Sequence, residues 1–274
     1  VSAFKYEDFI GARISGLRIV FLIALAFLLL NCGSVKAQFF SDTLHTSSLR
    51  VGDQLIVNYF ESDPDVFETH LVITDVEGSG AVVNVLIYDD KGALVNEESY
   101  FLPMFGKVNY NPTDRLKGKK MRGSIRIVSD GGNVAAQYWQ FYKDRSKGPF
   151  NTAIAASDGQ GASALLCQHF VSDNFVDSKL ILCNPESADT VVVAVVFYLD
   201  RGKQLSRDRY MIPPNGQLVI LPYEANEGLI KTGLAYCEVL RGGMITGEYW
   251  QSVVREDYQV SLPLEMIPKR ERDW

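Results

Sequence analysis

Histidine, tryptophan and cysteine are scarce in this 274-residue sequence, at three, three and four residues, and the scarcity narrows the available chemistry. A nucleophilic triad needs a Ser or Cys brought together with a His and a carboxylate. The sequence has no G-x-S-x-G, and its histidines are confined to His45, His70 and His169. The one glycine-rich candidate for a phosphate loop, SDGQGAS (157–163), carries neither the lysine nor a following helix. Cationic surface is lacking too: the formal net charge is −6. Such a chain repels a phosphate backbone rather than neutralising it, which argues against nucleic-acid binding. The single basic run, RLKGKKMR (115–122), reads as a solvated loop leading into a strand. Amphipathic helical periodicity is missing after residue 37, apart from YEANEGLIK (223–231), which has room for one turn.

What is present begins with a leader. Arg13 and Arg18 precede the apolar run VFLIALAFLLL (20–30), followed by a polar stretch ending Val35-Lys36-Ala37. Eleven apolar residues are too few for a membrane-spanning helix, and the small residues before Gln38 suit signal peptidase. Residues 1–37 are therefore expected to be a signal peptide and 38–50 a flexible lead, with Cys32 in LLNC as a rival lipid-anchor site. Either way the chain is expected to be exported, to the periplasm, cell surface or exterior. Beyond the leader stand Cys167, Cys183 and Cys237. In an oxidising compartment Cys183 can pair with Cys237, or Cys167 with Cys183, unless all three are buried thiols. Their spacing does not resemble a zinc site, and no cofactor or metal is expected.

The sequence repeats itself. LIVNYFESD (55–63) matches LLCQHFVSD (165–173), and HLVITD (70–75) matches KLILCN (179–184). VLIYDDKGALV (85–95) matches AVVFYLDRGKQL (194–205), FLPMFG (101–106) matches MIPPNG (211–216), and Gly123 falls on Gly233. GGNVAAQYWQ (131–140) then matches GGMITGEYWQ (242–251). The offset stays between 109 and 111 residues, and each shift falls in a turn-like stretch, as duplication of one unit requires. Within each unit, β-branched and aromatic runs are broken by turn residues at short intervals. The Asp-x-Gly hairpins and the strand-ending Pro103 and Pro213 fit the same pattern. The fold class is thus all-β: two tandem antiparallel β-sandwich domains over 51–157 and 161–264, with 265–274 as a charged tail.

The ordered motifs KLILCNPESADTVVVAVVFYLDRGKQL, IPPNGQLVI and GLAYCEVLRGGMITGEYW resemble a module of secreted bacterial proteins. They are similar to the β-sandwich of the sensory rhodopsin transducer family. The resemblance spans both units and departs from the pattern at Asp75-Val76, where Asn-Pro is the rule. It implies a non-enzymatic, often oligomeric module that binds partners at a surface.

Candidate site residues follow from recurrence. Gln137, Tyr138 and Trp139 return as Glu248, Tyr249 and Trp250. Side chains alternate along a strand, so Gln137 and Trp139 share one face and Tyr138 the other. An indole beside an amide or carboxylate can stack on a sugar, while a repeated Trp in a sandwich commonly fills a core. Asp63 and Asp173, and the hairpin pair Asp90 and Asp200, are candidate carboxylates for hydrolysis, against a turn-capping role. ESDPDVFE (61–68) has the acidity of a calcium loop, but its counterpart VSDNFVDS (171–178) loses two of those carboxylates. Cys167 and His169, two apart on one strand, would share a face. The leading expectation is a non-catalytic exported structural, adhesive or partner-binding protein, with protein or glycan partners at the cell surface and scope for homo-oligomers. The second is a carbohydrate-binding protein using the two tryptophans, and the third a hydrolase.

Overall fold

The structure, a computed structural model, describes residues 51–144, 152–173, 176–186, 188–225, 231–253 and 256–267. The expected signal peptide, flexible lead and Cys32, and tail residues 268–274, lie outside the described residues. The first half contains β1 (Val51–Gly52), β2 (Gln54–Ser62), β3 (Phe67–Asp75), β4 (Ala81–Asp89), β5 (Leu94–Leu102) and β6 (Lys107–Tyr110). A one-turn helix α1 (Pro112–Arg115) precedes β7 (Met121–Asp130), β8 (Val134–Tyr142), β9 (Thr152–Ala155) and β10 (Ser157–Asp158). The second half runs β11 (Ala164–Ser172), β12 (Val176–Cys183), β13 (Val191–Leu199), β14 (Gln204–Ile212) and β15 (Gln217–Ile220). It ends with a second turn of helix α2 (Pro222–Ala225), β16 (Lys231–Arg241), β17 (Thr246–Val253), β18 (Glu256–Pro263) and β19 (Glu265–Met266).

These strands form four antiparallel sheets. Sheet I has the order β1-β8-β3-β6 with β9 also on β8, and sheet II the order β10-β2-β7-β4-β5. Sheet III is β15-β12-β17-β18 and sheet IV β14-β13-β16-β11-β19. Each strand of sheets III and IV occupies the place of a strand nine positions earlier in the chain, so the two halves share one topology. The charged tail is corrected at its start, because Glu265 and Met266 pair with Leu166 and Leu165 at the edge of sheet IV. The register is shared as well. His70 faces Trp139 across β3 and β8, and Lys179 faces Trp250 across β12 and β17. Both β2 and β11 carry a bulge, between Val57 and Phe60 and between Cys167 and Phe170.

Local chemistry explains why the turns recur. Pro103 and Pro213 follow β5 and β14, where no further ladder donor is needed, and each closes a tight turn through the N–H of Gly106 or Gly216. A Cβ on Gly123 or Gly233 would stand 1.9 or 1.8 Å from the carbonyl oxygen of Tyr88 or Tyr198. No larger residue fits that approach, so both copies keep glycine. Asp75 and Asn184 organise the same loop with one bond in common. Asp75 accepts backbone N–H groups from Glu77, Gly78, Gly80 and Phe105. Asn184 likewise accepts from the Glu186 N–H, and its amide also donates to the carbonyls of Asp189, Ile212 and Pro213. The aspartate that departs from the Asn-Pro pattern therefore keeps the acceptor and replaces the donor bonds with further accepted ones.

One apolar core lies between sheets I and II, built on Leu71, Ile73, Tyr138, Val85, Ile125 and Ile127. Another lies between sheets III and IV, built on Leu180, Leu182, Tyr249, Val193, Phe197 and Cys237. The first cluster also takes in Ile181, Cys183 and Trp250 from the second half. Sheet III thus buries both faces: one against sheet IV, the other against the β2–β10 side of sheet II, whose β4–β5 side leaves Val82 and Phe101 exposed. The described residues from 51 onward belong to one compact unit, in which sheet III lies on β2 of sheet II and its β18 runs beside β9 of sheet I. No described helix is long and apolar enough to cross a membrane.

Candidate functional site

The two Tyr-Trp-Gln copies sit in unlike surroundings. Tyr138 and Tyr249 point into the two sandwich cores and tie the facing sheets together. The Tyr138 hydroxyl donates to Gln140 Oε1 at 2.9 Å and accepts from the Glu61 N–H at 3.4 Å. The Tyr249 hydroxyl meets Ser178 Oγ at 2.8 Å and accepts from the Val171 N–H at 3.2 Å. Both residues are buried, and burial raises the Tyr138 hydroxyl pKa well above its ordinary value. Neither can meet a ligand, so the expectation that they line a platform is corrected.

Trp250 and Glu248 lie on the outer face of sheet III, sealed against the first half at 2% and 1% exposure. The indole N–H donates to Glu248 Oε1 at 2.6 Å. Its ring stands edge-on to Tyr59, with centroids 4.7 Å apart. Glu248 Oε2 is buried without a hydrogen-bond partner. Burial therefore pushes the Glu248 carboxyl up to about 8, against the opposing effect of the Trp250 hydrogen bond. This copy of the motif is an internal joint.

The joint is organised by the bulge in β2. Skipping the ladder at Asn58 and Tyr59 leaves the Asn58 carbonyl without a strand partner, and the second half supplies donors. Cys183 Sγ donates to it at 3.0 Å, and the Gln217 amide donates to it and to the Gly123 carbonyl, the latter at 3.1 Å. The Asn58 side chain accepts from Thr246 Oγ1 at 2.5 Å and donates to Ser157 Oγ at 3.0 Å. At the rim the Gln217 N–H reaches the Asp90 carbonyl at 3.0 Å, and Arg126 reaches the Pro185 carbonyl at 3.0 Å. The Pro213–Gly216 turn presses on the β4–β5 hairpin so closely that a Cβ on Gly92 would stand 1.9 Å from Pro214 O.

The first copy is open. Trp139 and Gln137 are partly exposed on the outer face of sheet I. Trp139 lies nearly parallel to Phe141, with centroids 6.2 Å apart and planes inclined by 9°. The His70 ring stands edge-on to Phe141 at 5.7 Å and bonds Asn109 Oδ1 at 3.2 Å and Glu68 Oε1 at 3.0 Å. Of the six platform residues, Gln137 and Trp139 are the two on an accessible face.

The other candidates resolve into structure. Asp63 accepts from the Asp65 N–H and pairs with Lys120, and Asp173 accepts from the Val176 N–H, both as turn caps. In the β4–β5 hairpin the capping residue is Asp89, which accepts from Lys91 and Ala93 N–H groups, and Leu199 takes its place in the second hairpin. Asp90 instead meets Arg122, and Asp200 accepts from Thr232 Oγ1. Cys183 and Cys237 do not pair: all three described cysteines are free and buried. Cys183 faces Asn58 at the joint, whereas Cys237 belongs to the core between sheets III and IV. Burial raises the Cys183 thiol well above its usual range and pushes Cys167 up to about 12. The bulge also separates Cys167 from His169. The thiol turns into the core and donates to the His169 carbonyl at 3.3 Å, while His169 itself is exposed. Among the described residues, no group of three or more His, Cys, Asp or Glu is placed to hold a metal ion.

Fold and layers together define an all-β protein of stacked antiparallel sandwiches. No family model matches the sequence, and no curated protein matches it. Among solved structures, the crystal structure of Thermotoga maritima 1070 is 11% identical, covering 39% of this chain and 96% of its own, with a TM-score of 0.35. The Bacteroides uniformis beta-glucuronidase is 9% identical, with a TM-score of 0.17 over 75% of this chain and 25% of the enzyme. The Parabacteroides merdae beta-glucuronidase is 12% identical, with a TM-score of 0.18 over 75% of this chain and 27% of the enzyme. This chain thus spans about a quarter of either enzyme, and likenesses this shallow carry no activity across.

Proposed function

We propose that this chain is an exported, non-catalytic structural or partner-binding protein that works at the cell surface through the faces of its β-sheets. One observation carries the reading: an outer sheet face bearing Tyr-Trp-Gln already acts as a binding face, because that of sheet III holds the first half through the Trp250 ring on Tyr59 and through Cys183 and Gln217 on the Asn58 carbonyl. The equivalent face of sheet I, with Gln137 and Trp139, is left for a partner. The resemblance of the turn motifs to those of the sensory rhodopsin transducer family fits the same class. Labelled wild-type chain is expected to bind cells of the producing organism, and Trp139→Arg to lose most of that binding. The chain is also expected to leave a panel of chromogenic glycosides and esters unhydrolysed. Turnover above the buffer rate that survives repurification would overturn the reading.

The parallel Trp139 and Phe141 rings favour a second reading, carbohydrate binding on the same face. A flat aromatic strip beside the Gln137 amide is the arrangement on which a pyranose stacks. Saturable glycan-array binding that disappears in Trp139→Ala would support it, and an array blank for wild type would remove it.

A further inference from the structure

The joint between the two halves uses one kind of surface on each side, and duplication supplies a second copy of both surfaces that no joint among the described residues uses. The donor surface in the joint is the outer face of sheet III with its Pro213–Gly216 turn. The receiving surface is the outer face of sheet II with its bulge at Asn58 and the hairpin at Gly92. By register, the unused donor surface is the outer face of sheet I with the turn Pro103–Gly106. The unused receiving surface is the outer face of sheet IV with its bulge at Gln168 and the hairpin at Gly202. We infer that a second copy of this chain occupies them, sheet I of one molecule stacking on sheet IV of the next as sheet III stacks on sheet II within the chain.

Three observations outside the joint fit this occupant. The contact groups have counterparts at the equivalent positions: Trp139 replaces Trp250, whose ring meets Tyr59, the Thr74 hydroxyl replaces the Cys183 thiol, and the Lys107 ammonium replaces the Gln217 amide. The Thr74 hydroxyl and the Lys107 ammonium can each donate to the carbonyl of a bulge, as Cys183 and Gln217 do in the joint. The receiving hairpin has the room. Gly92 is pressed against Pro214, but a Cβ on Gly202 would meet nothing within 4 Å, and Gln168 and His169 on the bulge are exposed.

The donor turn is also built to be covered. Met104 and Phe105 are 69% and 72% exposed. Phe105 holds a left-handed φ of 53°, where the equivalent Asn215, at φ 54°, is a residue that tolerates it. A bulky aromatic kept exposed in a strained conformation is a feature of binding surfaces more than of folding. The contact is head to tail, so copies add in one direction, closing into a ring or extending as a filament according to the rotation between them.

The inference goes beyond the proposed function, which requires only that some partner occupy sheet I. Its test is light scattering and sedimentation of the purified full-length chain over a concentration series. Wild type is expected to associate progressively. Trp139→Arg blocks the donor face and Gln168→Arg the receiving face, so each alone is expected to be monomeric. A mixture of the two retains one good surface of each kind and is expected to form a dimer that grows no further. Phe105→Asn relieves the left-handed strain, so it should melt at higher temperature while associating more weakly, a combination no folding defect produces. A monomeric wild type would overturn the inference and leave the proposed function standing. So would association that persists in both arginine variants, as the apolar run 20–30 would cause, or a mixture that stays monomeric.

Discussion

Trp139 and Trp250 share a motif, a strand position and a register, yet one is partly exposed on an outer sheet and the other is sealed between two halves of the chain. The difference lies in what covers each face. Sheet III has β2 of sheet II on its outer side, whereas the outer face of sheet I leaves Trp139 partly exposed. Recurrence of a residue in a duplicated protein therefore identifies an equivalent place in the fold, while its neighbours decide whether it works as mortar or as surface.

Substitutions can break that comparison, the largest effect coming at the joint. Trp250→Ala removes a buried indole and is expected to cost about 3–5 kcal/mol, whereas Trp139→Ala is expected to stay within about 1 kcal/mol. Urea denaturation of both variants would measure the gap, and equal losses would refute the assignment of one as buried and one as open. The hairpin glycines give a smaller contrast. Both have positive φ, at 86° for Gly92 and 77° for Gly202, so alanine strains either one. Only at Gly92 does the new methyl also meet Pro214, so Gly92→Ala should exceed Gly202→Ala by about 1–3 kcal/mol.

Glu248 sharpens the same comparison through pH. Its folded-state value of about 8 lies above the ordinary 4.5, so the folded chain holds a proton that the unfolded chain releases. Stability from this group is fully present below the unfolded value and is lost as pH rises through the folded one. Melting temperature should therefore fall between pH 4.5 and about 8 in wild type, and fall less in Glu248→Gln. Gln137, at the equivalent place on sheet I, cannot titrate, so Gln137→Ala should leave the profile unchanged. The smallest effect belongs to the thiols. Cys167, Cys183 and Cys237 should resist a thiol reagent until the chain unfolds, and rapid labelling of Cys183 in native protein would contradict a closed joint.

Much of this was legible in the sequence. The repeat offsets, the strand-ending prolines and the hairpin glycines foretold an all-β chain built twice, because turn chemistry is local and repeats with the backbone it serves. The joint was less legible because contact between sheets is not a local property. One signal did exist. LIVNYF (55–60) is apolar at consecutive positions apart from Asn58, where a strand with one wet face would alternate. In the fold, Leu55 through Phe60 are all buried. The bulges at Val57/Phe60 and Cys167/Phe170 left no mark in the periodicity and moved His169 to the opposite face from Cys167. The disulfide expectation failed for a related reason. Cys183 and Cys237 occupy strands of one half, but they face different layers of the stack.

The central claim is that equivalent tryptophans have opposite exposure because one half stacks on the other. Acrylamide quenching of single-tryptophan variants tests it most directly. Trp139→Phe with Trp274→Phe leaves Trp250 as the sole emitter, and Trp250→Phe with Trp274→Phe leaves Trp139. Trp250 should emit at the shorter wavelength and resist quenching, and Trp139 should emit further to the red and be quenched readily. Equal quenching of the two, or a Trp250 more accessible than Trp139, would contradict the stacked arrangement.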